Sequence, residues 1–275
     1  MAKISVIIPV YNVEQYISKC ARSLFQQTLE DIEYIFIDDG SVDESISILY
    51  SVVKEFPDRA DWIKVISFGE NRGVFEAIKE GLANCSGEYV IRCDSDDWVP
   101  DMAYETMYHE AKKEDADVVE CAYYTITERG DLTEVINSIS GDCVAGILVG
   151  DHPSYLWNKM FHSSLIEKIK YYSEGNMWDD IPIAIQCVVN CKKNIYISTP
   201  LYYYLQRDSS ICHNDSSSSI VSKWKGAVNN AKIVIKYLTE KGMANRYKKE
   251  VTIFKLRSMF YAYPIAGIKE YKSLE

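Results

Sequence analysis

Residues 87–100 read GEYVIRCDSDDWVP and combine an apolar run with an acidic turn. The run, residues 89–91, is short and bounded by polar residues and a glycine, which is typical of a buried strand. The turn behind it holds Asp94, Asp96 and Asp97. Two carboxylates about 4 Å apart repel each other by about 4 kcal/mol at an effective dielectric constant of about 20. A divalent cation removes that repulsion, and Mg²⁺ and Mn²⁺ prefer oxygen ligands.

A second interpretation of the same turn is purely structural. Solvated aspartates commonly cap a helix, and Pro100 followed by Asp101 is a suitable helix start. The cluster alone does not separate a metal site from a helix cap, since short Asp-rich motifs occur often by chance. The rest of the chain must decide.

Strands and helices alternate through the first half of the chain. Predicted strands cover 4–10, 32–37, 62–68, 89–91 and 117–123, and the helices between them cover 13–27, 41–55, 74–83 and 100–113. Such alternation predicts a parallel sheet with right-handed crossovers, which binds its ligands at the carboxyl ends of the strands. The polar residues at those ends are Tyr11, Asn12, Asp38, Asp39, Asn71, Arg72, Gly73, Asp94, Asp96 and Asp97. One site at one edge of the sheet explains them better than four unrelated turns.

The second half is less regular. We predict a hairpin or an excursion of the chain over 125–140, a helix ending near residue 190, a strand over 195–205, and helices over 220–240 and 244–262. The predicted domains are 1–213, with halves 1–125 and 126–213, and a helical extension over 214–275. The apolar faces of the last two helices fit packing against the main domain, with docking on a membrane or a second subunit as alternatives. The abrupt end at Glu275 is consistent with a fragment of a longer protein.

Composition limits the partners. A net charge of −10 and a pI near 5.0 argue against a nucleic-acid surface, so a polyanionic ligand must be met locally. The eight cysteines form no Cys-x-x-Cys pair, and four histidines give a zinc site little support. No signal peptide or membrane-spanning segment is predicted. We therefore expect a cytoplasmic protein, positioned at the inner membrane face if its acceptor is lipid-linked.

Four segments in order carry a family resemblance. They are VIIPVYN at 6–12, IDDGS at 37–41, NRG at 71–73 and DSDD at 94–97. In these the chain resembles the family-2 inverting glycosyltransferases of the GT-A fold, closely over 1–125 and more loosely over 155–211. The resemblance implies a Rossmann-like, mostly parallel sheet flanked by helices. It also implies transfer of a hexosyl or N-acetylhexosaminyl group from a nucleotide sugar, such as a UDP-sugar, to a saccharide or lipid-linked saccharide in bacterial surface-polysaccharide biosynthesis.

The resemblance assigns donor-side roles to the first three strand ends. Pro9, Tyr11 and Glu14 would border the nucleotide base. Asp39 would accept hydrogen bonds from the base or ribose, because a carboxylate is an acceptor-only group. Arg72 would meet the base or the pyrophosphate, with a surface ion pair as the alternative.

In the acidic turn the resemblance separates the three carboxylates. Asp94 would contact the ribose or the sugar, and Asp96 would bind Mn²⁺ or Mg²⁺ directly. Asp97 would bind hydroxyls of the donor sugar or merely support the turn.

Inverting transfer also needs a base. It is a single displacement in which a general base takes the proton of the acceptor hydroxyl while the diphosphate leaves. The resemblance implies Asp180 as that base, beside Asp179 at the position where the family usually has Glu. The alternative is that both residues only cap the helix that begins at Ile181 and Pro182.

Three further residues are implied on the acceptor and phosphate sides. Trp157 and Lys159 lie in a segment that resembles the acceptor side, where a Trp could stack on a sugar or equally be a core residue. Arg207 would give a bidentate phosphate contact.

Other classes fit less well. A Rossmann dehydrogenase lacks its G-x-G-x-x-G, and an aspartyl-phosphate phosphatase lacks an Asp at the end of the first strand. A sugar nucleotidyltransferase would need a Gly-rich basic loop after that strand, where this chain has residues 9–12, PVYN. An inert binding module that keeps the GT-A fold stays open as an alternative.

Overall fold

The computed structural model describes residues 2–136, 141–175, 177–207 and 217–260. Its eight-stranded sheet has the order β3-β2-β1-β4-β7-β5-β6, with β8 paired to β5. The strands are β1 Ile4–Val10, β2 Ile32–Asp38, β3 Ile63–Ser67, β4 Tyr89–Arg92, β5 Val118–Thr127, β6 Leu132–Val135, β7 Lys159–His162 and β8 Asn194–Gln206. The helices are α1 Ile17–Phe25, α2 Ser45–Val53, α3 Val74–Ala83, α4 Ala103–Glu114, α5 Cys143–Val149, α6 Ser163–Ile166, α7 Asp180–Asn190, α8 Ser217–Glu240 and α9 Lys248–Phe260.

The first four strands form the predicted parallel sheet. β1 lies between β2 and β4, and Ile4 is in register with both Ile32 and Tyr89. Six of the seven residues of β1 are buried, as expected of a strand covered on both faces. The predicted α/β fold with a mostly parallel sheet is confirmed.

The far side of the sheet contains antiparallel pairs. β7 runs antiparallel to both β4 and β5, and β6 forms with β5 the hairpin that the sequence predicts. β7 is absent from the predicted strands, because four residues that include a lysine show no strand-like pattern. β8 is parallel to β5 and has two register shifts along its length.

Three predicted helix starts lie four residues too early, and one of them is that of α9, which begins at Lys248 instead of residue 244. α1 begins at Ile17 instead of residue 13, since Asn12 has a left-handed φ of 50° and its side-chain oxygen accepts from Val42 N. α2 begins at Ser45 instead of residue 41, and no side chain caps its start. The Ser41 hydroxyl accepts from Asn12 N at 3.2 Å, so it joins two loops.

Two compact units divide the chain. One comprises Met1–Asn137, Leu156–Lys168 and Asn190–Gln206, and it contains the whole sheet. The other comprises Ser138–Tyr155, Ile169–Val189 and Arg207–Glu275. These units interleave along the sequence, whereas the predicted domains are contiguous; the boundaries at 213 and 125 stay a prediction.

Each unit has its own buried residues. In the sheet unit, aromatic side chains such as Phe25, Tyr34 and Phe36 pack edge to face beneath β1 and β2. In the helical unit, Tyr237 of α8 and Phe254 of α9 are at most 2% exposed. Among the helices that the structure describes, none has the length and apolar character required to cross a bilayer.

Candidate functional site

The carboxyl ends of β1, β2 and β3 meet at one edge, as predicted. Val10, Asp38 and Ser67 end these strands in register. The backbone continues the pairing past the strand ends, because Asp39 N donates to Val10 O and Phe68 N donates to Asp38 O, both at 2.8 Å. The loops behind the three strands therefore start side by side.

Asp39 joins two of these loops. It is 3% exposed, and its carboxylate accepts from Arg72 N at 2.6 Å and Gly73 N at 2.9 Å. Each carboxylate oxygen accepts more than one hydrogen bond, so these contacts leave acceptor capacity. Asp39 therefore fixes the loop that leads into α3 through these two hydrogen bonds.

Glycine is required beside Asp39 for a steric reason. Gly40 has φ of 73°, and a Cβ there would lie 2.6 Å from the carbonyl carbon of Glu70. Gly73 differs from Gly40 in this respect. Gly73 has φ of 94° with no neighbouring atom within 4 Å of a Cβ, so its glycine serves backbone conformation.

The Arg72 side chain is exposed at this edge. Its guanidinium carbon lies 4.6 Å from the centroid of the Phe68 ring. A cation–π contact holds it there while the charge stays accessible to solvent. A contact of Arg72 with the nucleotide base or the pyrophosphate stays a prediction.

The loop after β1 is clasped to the turn before α2. The Glu14 carboxylate accepts from Glu44 N, and Glu14 N donates to the Asp43 carboxylate, both at 3.0 Å. Burial opposes ionisation of Asp43, but hydrogen bonds from Ser45 and from Glu14 N lower its pKa. Glu14 is therefore part of a loop clasp in this structure. Its predicted place beside the base stays untested.

The other two base-side residues differ in exposure. Tyr11 is 47% exposed just past the end of β1, and Pro9 is half-buried within that strand. Only Tyr11 therefore offers a wide ring surface at the edge.

Asp97 turns inward from the acidic turn. It is 1% exposed, and its two oxygens accept from the Tyr202 hydroxyl and from Leu205 N, each at 2.7 Å. Burial and the nearby charges of Asp96 and Asp94 raise its pKa. These contacts agree with the second of its two predicted roles, in which Asp97 supports the turn.

Asp94 and Asp96 are less buried than Asp97. Arg92 Nε donates to the Asp94 carboxylate at 2.6 Å, and Asp94 retains 21% of its side-chain exposure. Asp96 is half-buried on the same turn. The three carboxylates thus have three different surroundings.

The residues fit a cation held by few protein ligands. No group of three or more His, Cys, Asp or Glu side chains within the described ranges is arranged to hold a metal. Burial, and then the nearby charges of Asp96 and Asp94, raise the pKa of Asp97, so negative charge is concentrated on this turn. Mg²⁺ usually binds through one or two carboxylates and completes its shell with water and phosphate oxygens. Asp96 is the residue that could serve in this way.

The predicted strand β8 holds the acidic turn in place through a pairing that the sequence analysis did not predict. Trp98 and Tyr203 exchange backbone hydrogen bonds of 3.4 and 2.9 Å, and their rings stack with centroids 5.4 Å apart. Lys19 Nζ lies 3.0 Å from the centroid of the Trp98 ring. The Tyr-rich composition of β8 was visible, but its register against residue 98 was not.

Trp157 and Lys159 lie in the protein core. Trp157 is 4% exposed and stacks on Tyr202 and Tyr204. This is the core alternative of the sequence analysis. Lys159 is fully buried, and its Nζ lies 3.4 Å from the equally buried carboxylate of Glu120. The predicted contact of Lys159 with substrate is not seen, because its ammonium group is fully buried and paired with Glu120.

The second acidic pair belongs to the helical unit. Asp180 is the first residue of α7, and Asp179 precedes it; both are half-buried. The Ser173 hydroxyl donates to the Asp179 carbonyl oxygen. Trp178, just before the pair, has a left-handed φ of 59°. Arg207, which follows β8 directly, is half-buried and is assigned to the same unit.

A family model agrees with the fold and the sheet edge. The model described as glycosyl transferase family 2 matches residues 5–189. The chain therefore belongs to glycosyl transferase family 2, and the predicted enzyme class, a glycosyltransferase, is confirmed.

Individual proteins agree as well. Glycosyltransferase GlyA of Streptococcus pneumoniae is 32% identical over 246 residues, which are 83% of this chain but only 33% of GlyA. The chain thus spans about a third of that relative's length.

Solved structures share the fold. Residues 1–349 of Staphylococcus aureus TarS align with a TM-score of 0.71 and 19% identity over 94% of this chain and 72% of that chain. The same TarS fragment has also been solved with UDP-GlcNAc. A mannosyltransferase from Pyrobaculum calidifontis, in complex with GDP-Man and Mn²⁺, aligns with a TM-score of 0.55 and 13% identity over 99% of this chain and 78% of that chain.

Proposed function

We propose that this chain is a metal-dependent inverting glycosyltransferase that uses a nucleotide sugar. The observation that carries the proposal is that the Asp39 loop and the acidic turn follow strands on either side of β1 at the same carboxyl edge of one parallel sheet, in a family-2 chain. Ligands of open α/β sheets bind at that edge.

The donor is proposed to be a UDP-sugar. TarS, a structural neighbour, has been solved with UDP-GlcNAc, which supports uracil and an N-acetylhexosamine as first probes. On this chain the exposed Tyr11 ring and the Arg72 guanidinium are available for the base and the pyrophosphate. Asp39 has the remaining acceptor capacity for the base or the ribose.

The cation is proposed to bind at Asp96. When bound, Mn²⁺ or Mg²⁺ would neutralise charge on the departing diphosphate. Asp94 beside it would accept from sugar or ribose hydroxyls while Arg92 holds its carboxylate in place. Asp97 would support the turn through the hydrogen bonds that it accepts from the Tyr202 hydroxyl and Leu205 N.

The base is proposed to be Asp180, and the acceptor a saccharide or a lipid-linked saccharide. Asp180 would take the proton of the acceptor hydroxyl, with Asp179 beside it. Arg207 would contact the diphosphate. The inert binding module and the sugar nucleotidyltransferase are the competing proposals. Bacterial surface-polysaccharide biosynthesis is the proposed setting.

Charge distribution supports a membrane-side location. Residues 217–260 contain ten Lys and Arg, eight of them exposed, but only two Glu, in a chain with 30 Lys and Arg against 40 Asp and Glu. The end of α9 exposes Leu256, Met259 and Phe260 at about half of their surface. A basic surface with exposed apolar residues suits anionic lipids. The proposal therefore includes a cytoplasmic protein at the inner membrane face.

One calorimetric series tests the donor and the metal. Wild-type protein is titrated with UDP-GlcNAc, UDP-glucose, UDP-galactose and GDP-mannose, with Mn²⁺ or with EDTA, and product release is followed in parallel. We expect one UDP-sugar to bind and turn over only with Mn²⁺. Tight binding without any turnover would favour the inert module, and pyrophosphate-dependent release of UTP would identify a nucleotidyltransferase.

The lipid part is tested separately. Sedimentation with vesicles that contain one third phosphatidylserine should pull down the protein at low salt, and neutral phosphatidylcholine vesicles should not. The Lys248→Gln/Lys249→Gln variant should bind more weakly. Equal recovery on both vesicle types would remove the electrostatic part of the proposal.

A further inference from the structure

The segment before the candidate base is held by side chains from the two last helices. These helices, α8 and α9, lie beyond residue 189, where the family match ends. The relevant contacts all fall within the helical unit. They concern Glu174, Met177 and Trp178, the residues that lead into Asp179 and Asp180.

Asn230 of α8 makes the first contact. It is fully buried, and its side-chain oxygen accepts from Glu174 N at 2.8 Å while its Nδ2 donates to Met177 O at 2.8 Å. Backbone groups of an irregular segment normally need water or a side chain as partner. One amide thus satisfies a donor and an acceptor that lie three residues apart.

Trp178 makes the second contact. Its left-handed φ costs an L-residue roughly 1–2 kcal/mol, and such a conformation persists only where surrounding contacts maintain it. The ring of Phe254 in α9 stacks on Trp178, with centroids 5.3 Å apart and an angle of 14° between the planes. The Arg257 guanidinium lies 5.2 Å from the Trp178 ring centroid.

Arg257 is itself fixed at a helix end. It donates to the carbonyl oxygen of Leu148 at 2.8 Å, in the last turn of α5. Gly150 leaves the room for it, because a Cβ there would lie 2.3 Å from Arg257 Nη2. The Arg257 guanidinium beside the Trp178 ring therefore has little freedom to move.

We propose that Asn230, assisted by Phe254 and Arg257, is a positioning residue that sets the geometry of the Asp179–Asp180 pair. This deepens the proposed function and rests on Asp180 as the base. A base must lie within hydrogen-bond reach of the proton that it takes, and a displacement of about 1 Å can cost roughly 100-fold in rate. Asn230 would act on turnover through the backbone at Met177 and Trp178, without touching the substrate.

The test combines kinetics with a double-mutant cycle. Mn²⁺-dependent hydrolysis of UDP-GlcNAc and UDP-glucose is measured for wild type, Asn230→Ala, Asp180→Asn and the double variant. Asn230→Ala should lower kcat roughly 10- to 100-fold and leave KM for the donor within about twofold. On the Asp180→Asn background the same change should cost less than about twofold, because the two residues act as a unit.

Controls separate positioning from folding. Asn229→Ala, the half-buried neighbour on the same helix, should behave as wild type. Amide exchange should rise at Glu174 and around Trp178 in Asn230→Ala and stay unchanged in the sheet. If Asn230→Ala does not fold, Arg257→Lys replaces it, since it keeps the charge but loses the planar group over Trp178; a kcat loss of about fivefold is then expected.

Failure of the inference and failure of the proposed function give different results. An unchanged kcat in Asn230→Ala despite faster exchange overturns the positioning role, as does an equal loss in both backgrounds. If Asp180→Asn retains full turnover, the proposed base is wrong. The exchange measurement still reports in that case whether Asn230 holds the segment.

Discussion

The two acidic turns of this protein are held in different ways. The turn at 94–97 follows a buried parallel strand, and backbone pairing of Trp98 with Tyr203 anchors its end. The turn at 179–180 begins a helix and depends on side chains of α8 and α9 that come some 50 to 80 residues later. A sheet can place carboxylates through its backbone register. A helix start after an irregular segment needs side chains to do so.

The roles proposed for the two turns can be separated by one substitution in each. Asp96→Ala should affect both binding and turnover: we expect Mn²⁺-dependent donor binding to be lost and kcat/KM to fall by roughly 1,000-fold or more, since bound metal contributes several kcal/mol. Calorimetry with a UDP-sugar and Mn²⁺ measures the binding. Asp61→Ala, an exposed aspartate just before β3 at the opposite edge of the sheet, is the control. Undiminished metal-dependent binding in Asp96→Ala would remove Asp96 as a ligand.

Asp180→Asn should leave donor binding intact and lower transfer by roughly 100- to 10,000-fold, the range for loss of a general base. The amide keeps the size of the side chain and removes its basicity. Calorimetry and product release on the same preparations measure the two quantities. Parallel loss of both would assign Asp180 to the donor site and erase the contrast with Asp96.

Lys159 tests whether buried charge in the sheet unit is structural. Lys159→Met should destabilise the protein by about 3–5 kcal/mol, because it leaves the Glu120 carboxylate buried without its partner. Urea unfolding measures this change. Removing both charges in Lys159→Met/Glu120→Leu should recover much of the loss. If Lys159→Met were stable and had a raised KM for an acceptor, the original prediction that Lys159 contacts substrate would be supported.

Two glycines beside Asp39 give the smallest expected effects. Gly73→Ala should cost about 1–3 kcal/mol, since its backbone, with φ of 94° and ψ of 154°, lies in a region essentially restricted to glycine while no neighbouring atom opposes a Cβ. Gly40→Ala should cost about 1–3 kcal/mol more, because its Cβ also meets the backbone of Glu70. Equal unfolding midpoints in the two variants would show that the loop after β3 moves to accommodate a Cβ at residue 40.

The sequence alone determined the parallel strands and the edge where they end. β1 has the bounds that its continuous β-branched run predicts, and the polar residues after β1 to β4 share one edge because parallel strands point the same way. These features depend on local pattern and chain direction. Four ordered segments also sufficed for the family.

Only the tertiary structure decided which polar residues face outward. Lys159 and Asp97 look like site residues in the sequence, yet one is buried against Glu120 and the other beneath its own turn. Asn230 carries no motif, and its two contacts join residues more than 50 positions apart. Burial and pairing of this kind arise from packing between distant segments, and a local sequence pattern holds no record of which segments will meet.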